Sequence, residues 1–377
     1  MSSTTLASSA LSGCSIVIAA DRRAGDLASA LERRGAQVQR APALSILSHT
    51  DDEELLARTR TLIENPPDVV VVTTGVGFRG WMDAAHENDL AEELTSALRS
   101  AVFIARGPKA HGAIQQAGFV ADWVARSETS AEVADYLRST TLAGKRVAVQ
   151  HHGAGSDGLD EALSSAGAVV VRLMVYRWGP PEEPERVERT IVQAADGDVD
   201  AVLFTSAPGA SAWIAAARRQ SELERIRARV DRGRVLLAAV GPITASPLAD
   251  AGLPTMIAAR GRLGSLARCV IGHYDVGGAA PWVATTAGRL SMRSSGVVVA
   301  GRFTPLSRTG ARLLGALFDA DGAVLSRDEI AHELPGTIQT AHAVEMAVAR
   351  LREALGDTDI IKTVVKRGYR LSVEESG

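Results

Sequence analysis

The chain has 377 residues, 46% hydrophobic but only 4% aromatic, so two or three cores packed mainly by Ala, Val and Leu are expected. Its net charge of −3 argues for no partner by itself, and all but four of the 41 Lys+Arg are Arg, so a polyanion site has to come from local clustering. Cys14 and Cys269 lack CxxC partners, which excludes a disulfide framework and structural zinc, and no run approaches the roughly 18 apolar residues of a membrane helix.

Residues 1–12 are Ser/Thr-rich, without a basic start or a long apolar stretch, and read as a loose, disordered tail rather than a secretion signal. Gly13-Cys-Ser-Ile-Val-Ile opens a short strand, followed by a helix-like run Leu27–Arg34, Gly35 and Ala-Gln-Val. Val69-Val-Val-Val then runs into Thr73-Thr-Gly-Val-Gly-Phe, and Ile104-Ala-Arg into Gly107-Pro-Lys-Ala. The plan restarts at Gly144-Lys-Arg-Val-Ala-Val, with a helix-like run Leu159–Ser165, Gly167 and Ala-Val-Val-Val. Ala201-Val-Leu-Phe runs into Thr205-Ser-Ala-Pro-Gly-Ala, and Ala239-Val into Gly241-Pro-Ile-Thr-Ala. The Gly-to-Gly intervals are 22 and 23 residues, and Thr74 and Thr205 each lie 61 beyond their opening glycine.

Short β-rich runs alternating with helices predict an α/β fold of parallel sheets covered by helices. Ligands in such folds sit beyond the carboxyl ends of the strands, near helix N-termini. The small-residue turns Thr73–Gly77, Gly107–Ala110, Gly153–Gly158, Ser206–Gly209 and Gly241–Thr244 are expected there, offering N–H groups to carboxylates or phosphates in a shared cleft. None is a dinucleotide fingerprint or a phosphate-loop sequence.

Residues 13–272 resemble uroporphyrinogen-III synthase (HemD), through Arg22 after the first strand, Val175-Tyr-Arg, Phe204-Thr-Ser and Val240-Gly-Pro-Ile-Thr-Ala. The resemblance implies a two-lobed parallel-sheet module, with one lobe formed by 13–40 plus 179–272 and the other by 45–174. Linkers would lie near Arg40–Leu47 and Arg172–Pro180. That family closes hydroxymethylbilane without a cofactor, and the resemblance makes Tyr176 the candidate proton donor. The candidate ligand-binding residues are Arg22, Thr74, Gly107, Lys109, Gly155, Ser156, Ser206, Gly241 and Thr244. The chain departs from the family at Gly75, at Ala110 where a threonine is usual, and at Asp21 beside Arg22.

Residues 273–281, with Gly277-Gly-Ala-Ala-Pro281, read as a linker by composition. Short β-leaning runs follow from Trp282 to about Phe303, then a helix capped by Ser307, a second at Arg327–Leu334 after Ser326, and a third from about Thr340 to Leu355. Ile360-Ile-Lys-Thr-Val-Val and Lys366-Arg-Gly-Tyr-Arg-Leu predict two strands around a basic turn. Val344, Val348, Leu351 and Leu355 fall at core spacing, leaving His342, Glu345, Ala349, Arg350, Arg352 and Glu353 more exposed. Helix–turn–helix plus hairpin is a winged-helix plan over 282–374. Six basic residues against three acidic ones between Arg350 and Arg370 suit DNA.

Leu306-Ser-Arg-Thr-Gly-Ala-Arg-Leu-Leu, Val348-Ala-Arg-Leu-Arg-Glu-Ala-Leu-Gly and Ile361-Lys-Thr-Val-Val-Lys-Arg-Gly-Tyr-Arg-Leu make this segment resemble the OmpR/PhoB class of output domains. The resemblance implies DNA contacts by His342, Arg350 and Arg352 on the helix and by Lys366 and Arg367 in the wing. Three readings stay open. The first is a transcriptional regulator sensing a tetrapyrrole or other small anion, similar to regulators of nitrate and nitrite assimilation. The second is an active synthase with an added DNA-binding domain, and the third is a non-catalytic scaffold. No cofactor, metal or membrane is expected. DNA is the expected partner, with a homo-oligomer or co-regulator as a further one, in the cytoplasm.

Overall fold

A computed structural model describes residues 9–20, 24–48, 53–151, 157–333, 341–356 and 359–374. The chain divides into two compact units, one made of Met1–Leu44 with Pro180–Gly377 and the other of Ser45–Gly179. They are called here the first and the second unit.

The second unit is built on a five-stranded parallel sheet in the order Trp123–Val124, Val102–Ala105, Val69–Val72, Arg146–His151, Val169–Met174. The central run Val69–Val72 has no polar alternation because both of its faces are covered. Successive side chains go to opposite sides. Val70 and Val72 pack with Phe78, Trp81 and Leu94, while Val69 and Val71 pack with Val133, Leu159 and Leu163. A separate antiparallel pair, Ser45–Ser48 with Tyr176–Gly179, lies where the chain enters and leaves this unit.

The first unit repeats the plan with parallel strands in the order Met256–Ile257, Leu236–Ala239, Ala201–Phe204, Ser15–Ile18, Gln37–Arg40. Trp213 fills one side of this sheet as Trp81 fills one side of the other. The register corrects one detail of the repeat. The equal 61-residue offsets pair Thr74 with Thr205, but the residue that caps the helix after the strand is Ser206 in the first unit and Thr74 in the second. The extra residue of the 23-residue interval moves the second cap on by one.

The C-terminal part of the first unit carries a four-stranded antiparallel sheet, Val283–Thr285, Gly288–Arg293, Gly296–Val299 and Arg302–Pro305. Three helices follow, Arg308–Asp319, Arg327–Glu333 and Ala341–Leu355, and then a hairpin of Ile361–Val364 and Gly368–Leu371. The Ser307 hydroxyl accepts from the Gly310 amide (3.1 Å). Ser326 and Glu329 cap reciprocally, at 3.2 and 2.7 Å, satisfying two orphan helix donors. Leu313, Leu314, Leu317, Val344, Val348 and Leu351 share one core with Leu290 and Val297 of the sheet. Gly368 is obligatory, since a Cβ there would stand 1.9 Å from the Leu325 carbonyl oxygen across a β-bridge.

Two composition-based expectations give way. Leu11 is fully buried and its amide donates to the Arg34 carbonyl, so the loose tail does not extend to residue 12. The stretch 273–281 is not a free linker: Ala280 is buried, its amide bonds the His273 carbonyl, and the Pro281 carbonyl accepts from the Ser291 hydroxyl. Small residues permit flexibility, but here the same small residues permit close packing.

Candidate ligand turns and nucleic-acid interface

In the second unit Thr74 and Gly107 stand at the carboxyl ends of the adjacent strands Val69–Val72 and Val102–Ala105, each as the N-cap of a helix. The Thr74 hydroxyl accepts from the Gly77 amide (3.1 Å), and the Thr74 amide donates to Gln150 Oε1 (3.1 Å). Donors expected to be open to a ligand are thus partly engaged by the protein. Gly75 and Gly77 are fixed by close approach, for Cβ atoms there would lie 2.2 Å from the Lys109 carbonyl oxygen and 1.8 Å from Gln150 Nε2. This is why glycine stands at position 75. Lys109 is exposed on the helix that Gly107 caps.

In the first unit Ser206 and Gly241 occupy the matching strand ends and cap the helices Ala207–Arg219 and Pro242–Asp250. The Ser206 hydroxyl accepts from the Gly209 amide (3.2 Å), and Thr244 is buried in the first turn of its helix. The candidate residues therefore fall into two groups, one on each unit. Arg22, Gly155 and Ser156 lie outside the described residues. Tyr176 is described for its backbone, which pairs with Ser48.

A polar cluster escaped the sequence reading. His151 Nε2 and Asp160 Oδ1 are 2.9 Å apart, and Arg172 Nε donates to Asp160 Oδ2 (2.6 Å). His151 and Asp160 are 3% and 4% exposed. Burial alone pushes the Asp160 carboxyl up, but the hydrogen bond and charge of His151, joined by Arg172, outweigh it and leave it below the usual range. A His-Asp pairing nine residues apart was the available signal.

On the winged-helix segment His342 and Arg350 are exposed on the helix Ala341–Leu355. Met346, unremarked in the sequence, is also on its exposed surface. Glu345 is tied to Arg327 (3.1 Å). Arg352 turns inward. It donates to the Ile361 carbonyl through Nε (3.1 Å) and Nη2 (2.6 Å) and to the Thr363 hydroxyl (3.0 Å), fastening helix to hairpin. Lys366 and Arg367 are exposed at the hairpin turn, where Lys366 takes a left-handed φ of 61° and the Arg367 amide closes the turn onto Val364 (2.9 Å).

The winged-helix segment is docked on the amino-terminal edge of the first unit's sheet. Asp200, just before the strand Ala201–Phe204, accepts from the Ser294 amide (2.9 Å), the Ser294 hydroxyl and the Ser15 amide (2.7 Å). Burial raises its carboxyl pKa, against the lowering hydrogen bonds of Ser294 and Ser15. Its copy in the second unit, Asp68, caps the Arg146 amide in the same way (2.8 Å) but meets Lys145 (2.7 Å) instead of a covering domain. The hydrogen bonds of Lys145 and Arg146 lower its pKa. Around Asp200, Ser295 donates to the Gly13 carbonyl (2.8 Å), Arg312 pairs with Asp196 (3.2 Å), Arg308 pairs with Asp198, and Arg234 reaches Asp319 (3.8 Å) and the Phe318 ring. An open groove of about 920 Å³ runs along this junction, lined by Gln37, Gln39, Arg189, Asp198 and Arg308, away from the candidate ligand turns.

Residues 25–268 match the family described as uroporphyrinogen-III synthase HemD, and residues 301–371 match the family described as transcriptional regulatory protein, C terminal. An uncharacterized Bacillus subtilis protein, YjjA, is 29% identical over 251 residues, covering 66% of this chain and 91% of the relative. A putative uroporphyrinogen-III synthase of Methanothermobacter thermautotrophicus is 28% identical over 235 residues, 61% of this chain and 87% of its own. A crystal structure of a mutant uroporphyrinogen III synthase from Thermus thermophilus superposes with a TM-score of 0.55 at 28% identity, covering 68% of this chain and 96% of the synthase.

Proposed function

From a chain that belongs to the uroporphyrinogen-III synthase HemD family and carries a DNA-binding transcriptional-regulator domain fused to that module, we propose a one-component regulator. Its HemD-like module senses a small polyanionic ligand of tetrapyrrole type, and the winged helix reports occupancy to DNA in the cytoplasm. Control of nitrate and nitrite assimilation belongs to this reading by analogy with fusions of similar architecture.

One observation carries the reading. Three adjacent strands of the first unit, Ser15–Ile18, Ala201–Phe204 and Leu236–Ala239, begin at residues gripping the winged helix (Gly13, Asp200 and Arg234). At their other ends the second and third strands run into Ser206 and Gly241, candidate ligand residues. A four-residue strand spans about 13 Å, so a shift at the ligand turn and a shift at the docked domain are separated by one rigid element. Coupling requires the ligand to bind one docking state better than the other, typically by about 5–150-fold.

The test runs two measurements on the full chain. DNA sites are selected from a random pool, and affinity for them is measured with and without uroporphyrinogen III. Hydroxymethylbilane turnover is followed in parallel. Sequence-specific binding that shifts severalfold with ligand, together with negligible turnover, is expected. Turnover lost in Tyr176→Phe, with DNA affinity indifferent to ligand, overturns the reading in favour of a synthase.

A further inference from the structure

The two sheets are copies of one plan, so a buried difference between equivalent positions is not dictated by the fold. The strand register sets the equivalence, because Val147 pairs with Val69 as Ile16 pairs with Ala201. One and two steps past the equivalent Val149 and Ile18, Gln150 and His151 stand where the first unit has Ala19 and Ala20. Asp160, buried between Leu159 and Leu163, stands where the first unit has Ala28 between Leu27 and Leu31. Arg172 and Arg40 are equivalent, each paired across the edge of its sheet, with Val149 and Ile18.

The first unit closes this corner with alanines, so the second unit has no structural need to bury a histidine and a carboxylate. Such groups are costly to bury unless each is paired. Both Asp160 oxygens are engaged, one with His151 (2.9 Å) and one with Arg172 Nε (2.6 Å). Arg172 is pinned at Nε, yet its side chain remains 55% exposed, whereas Arg40 has only Ala28 at the position of Asp160. A guanidinium pinned through one nitrogen presents its remaining donors in a fixed fork, which suits a carboxylate.

We infer that Arg172 is the anion-binding residue of a carboxylate seat on the second unit, positioned by Asp160, which His151 in turn orients. The seat deepens the ligand-sensing reading above and rests on it. It also adds to the repeat: the first unit grips the winged helix and offers the Ser206 and Gly241 turns, and the second adds a charged seat that its twin lacks.

The experiment uses the full chain and two carboxylate probes, uroporphyrin III and citrate, titrated by fluorescence quenching and calorimetry. Arg172→Gln and the double variant His151→Ala/Asp160→Ala, which installs the first unit's own residues, are compared with Arg40→Gln. Binding of at least one probe by the wild type is expected to fall about tenfold or more in Arg172→Gln and in the double variant, with Arg40→Gln unchanged. Binding of citrate as well as uroporphyrin III identifies a general carboxylate seat, and of uroporphyrin III alone a tetrapyrrole seat. Arg172→Gln, a substitution at a half-exposed side chain, keeps the test valid should the double variant melt early. Equal affinity in the wild type and Arg172→Gln overturns the seat while leaving the ligand-sensing reading intact. Failure of the wild type to bind either probe, with DNA binding retained, overturns both.

Discussion

Replacing Asp200 by alanine tests whether the winged helix is held by a buried carboxylate. Asp200 is buried and accepts three hydrogen bonds, from the Ser15 amide, the Ser294 amide and the Ser294 hydroxyl. Its removal leaves the Ser294 amide without that acceptor and the Ser15 amide with the Ser294 hydroxyl alone (3.3 Å), at up to about 1–3 kcal/mol each, and relief of the buried charge returns part of the loss. A net destabilisation of about 2–4 kcal/mol is therefore expected for the first unit. The internal repeat supplies the control. Asp68 caps the equivalent strand, but water and Lys145 share its work, so Asp68→Ala is expected to cost no more than about 1 kcal/mol. Urea denaturation followed by circular dichroism measures the two, and hydrogen exchange at residues 293–296 locates the effect. Equal losses in the two variants, or unchanged exchange at 293–296 in Asp200→Ala, would refute the reasoning.

The remaining predictions concern single side chains. Arg350→Ala is expected to weaken binding to a selected DNA site by about 1–3 kcal/mol, whereas Arg352→Ala should first lower the melting temperature of the winged helix, as calorimetry of the two would separate. Gly75→Ala is expected to cost about 1–3 kcal/mol, because the new methyl meets the Lys109 carbonyl oxygen; a denaturation midpoint equal to wild type would contradict this close approach. The Asp160 pKa is lowered in the fold, so its contribution to the second unit is complete above the unfolded carboxylate pKa, about 3.9, and drains away as pH falls through the folded value. Acid titration of stability should show this loss in the wild type and not in His151→Ala/Asp160→Ala. That double variant should also be less destabilised than the sum of its singles, since each single leaves a buried partner unmatched.

The repeat was legible because strand–turn–helix units leave their glycines and valines in order, and the wing was legible because Lys366-Arg-Gly-Tyr joins basic residues to a turn. What escaped the sequence depends on partners far along the chain. Asp200 reads as an ordinary polar residue before a strand; only Ser294, 94 residues later, makes it a buried anchor. Arg352 shares an exposed-looking helical position with Arg350, and its direction is set by the Ile361 carbonyl. Gln150 and His151 end an otherwise apolar strand, where a turn into a solvent loop is the natural expectation, and Asp160 sits in a first helical turn where acidic residues are common. The one-residue offset between Thr205 and Ser206 was invisible because both hydroxyls are plausible caps.

The antiparallel pair that frames the second unit has a consequence for how the protein can be taken apart. Ser45 and Gly179 are register partners, so their Cα atoms stand about 5 Å apart. The chain leaves the first unit and returns to it at nearly the same point, with 135 residues strung between, from Ser45 to Gly179. A two-residue turn joining the flanks would excise the whole cassette without cutting a strand of the first unit's sheet or touching the Asp200 anchor. The shortened chain would keep the winged-helix domain and the platform beneath it, with the proposed anion seat removed in one piece.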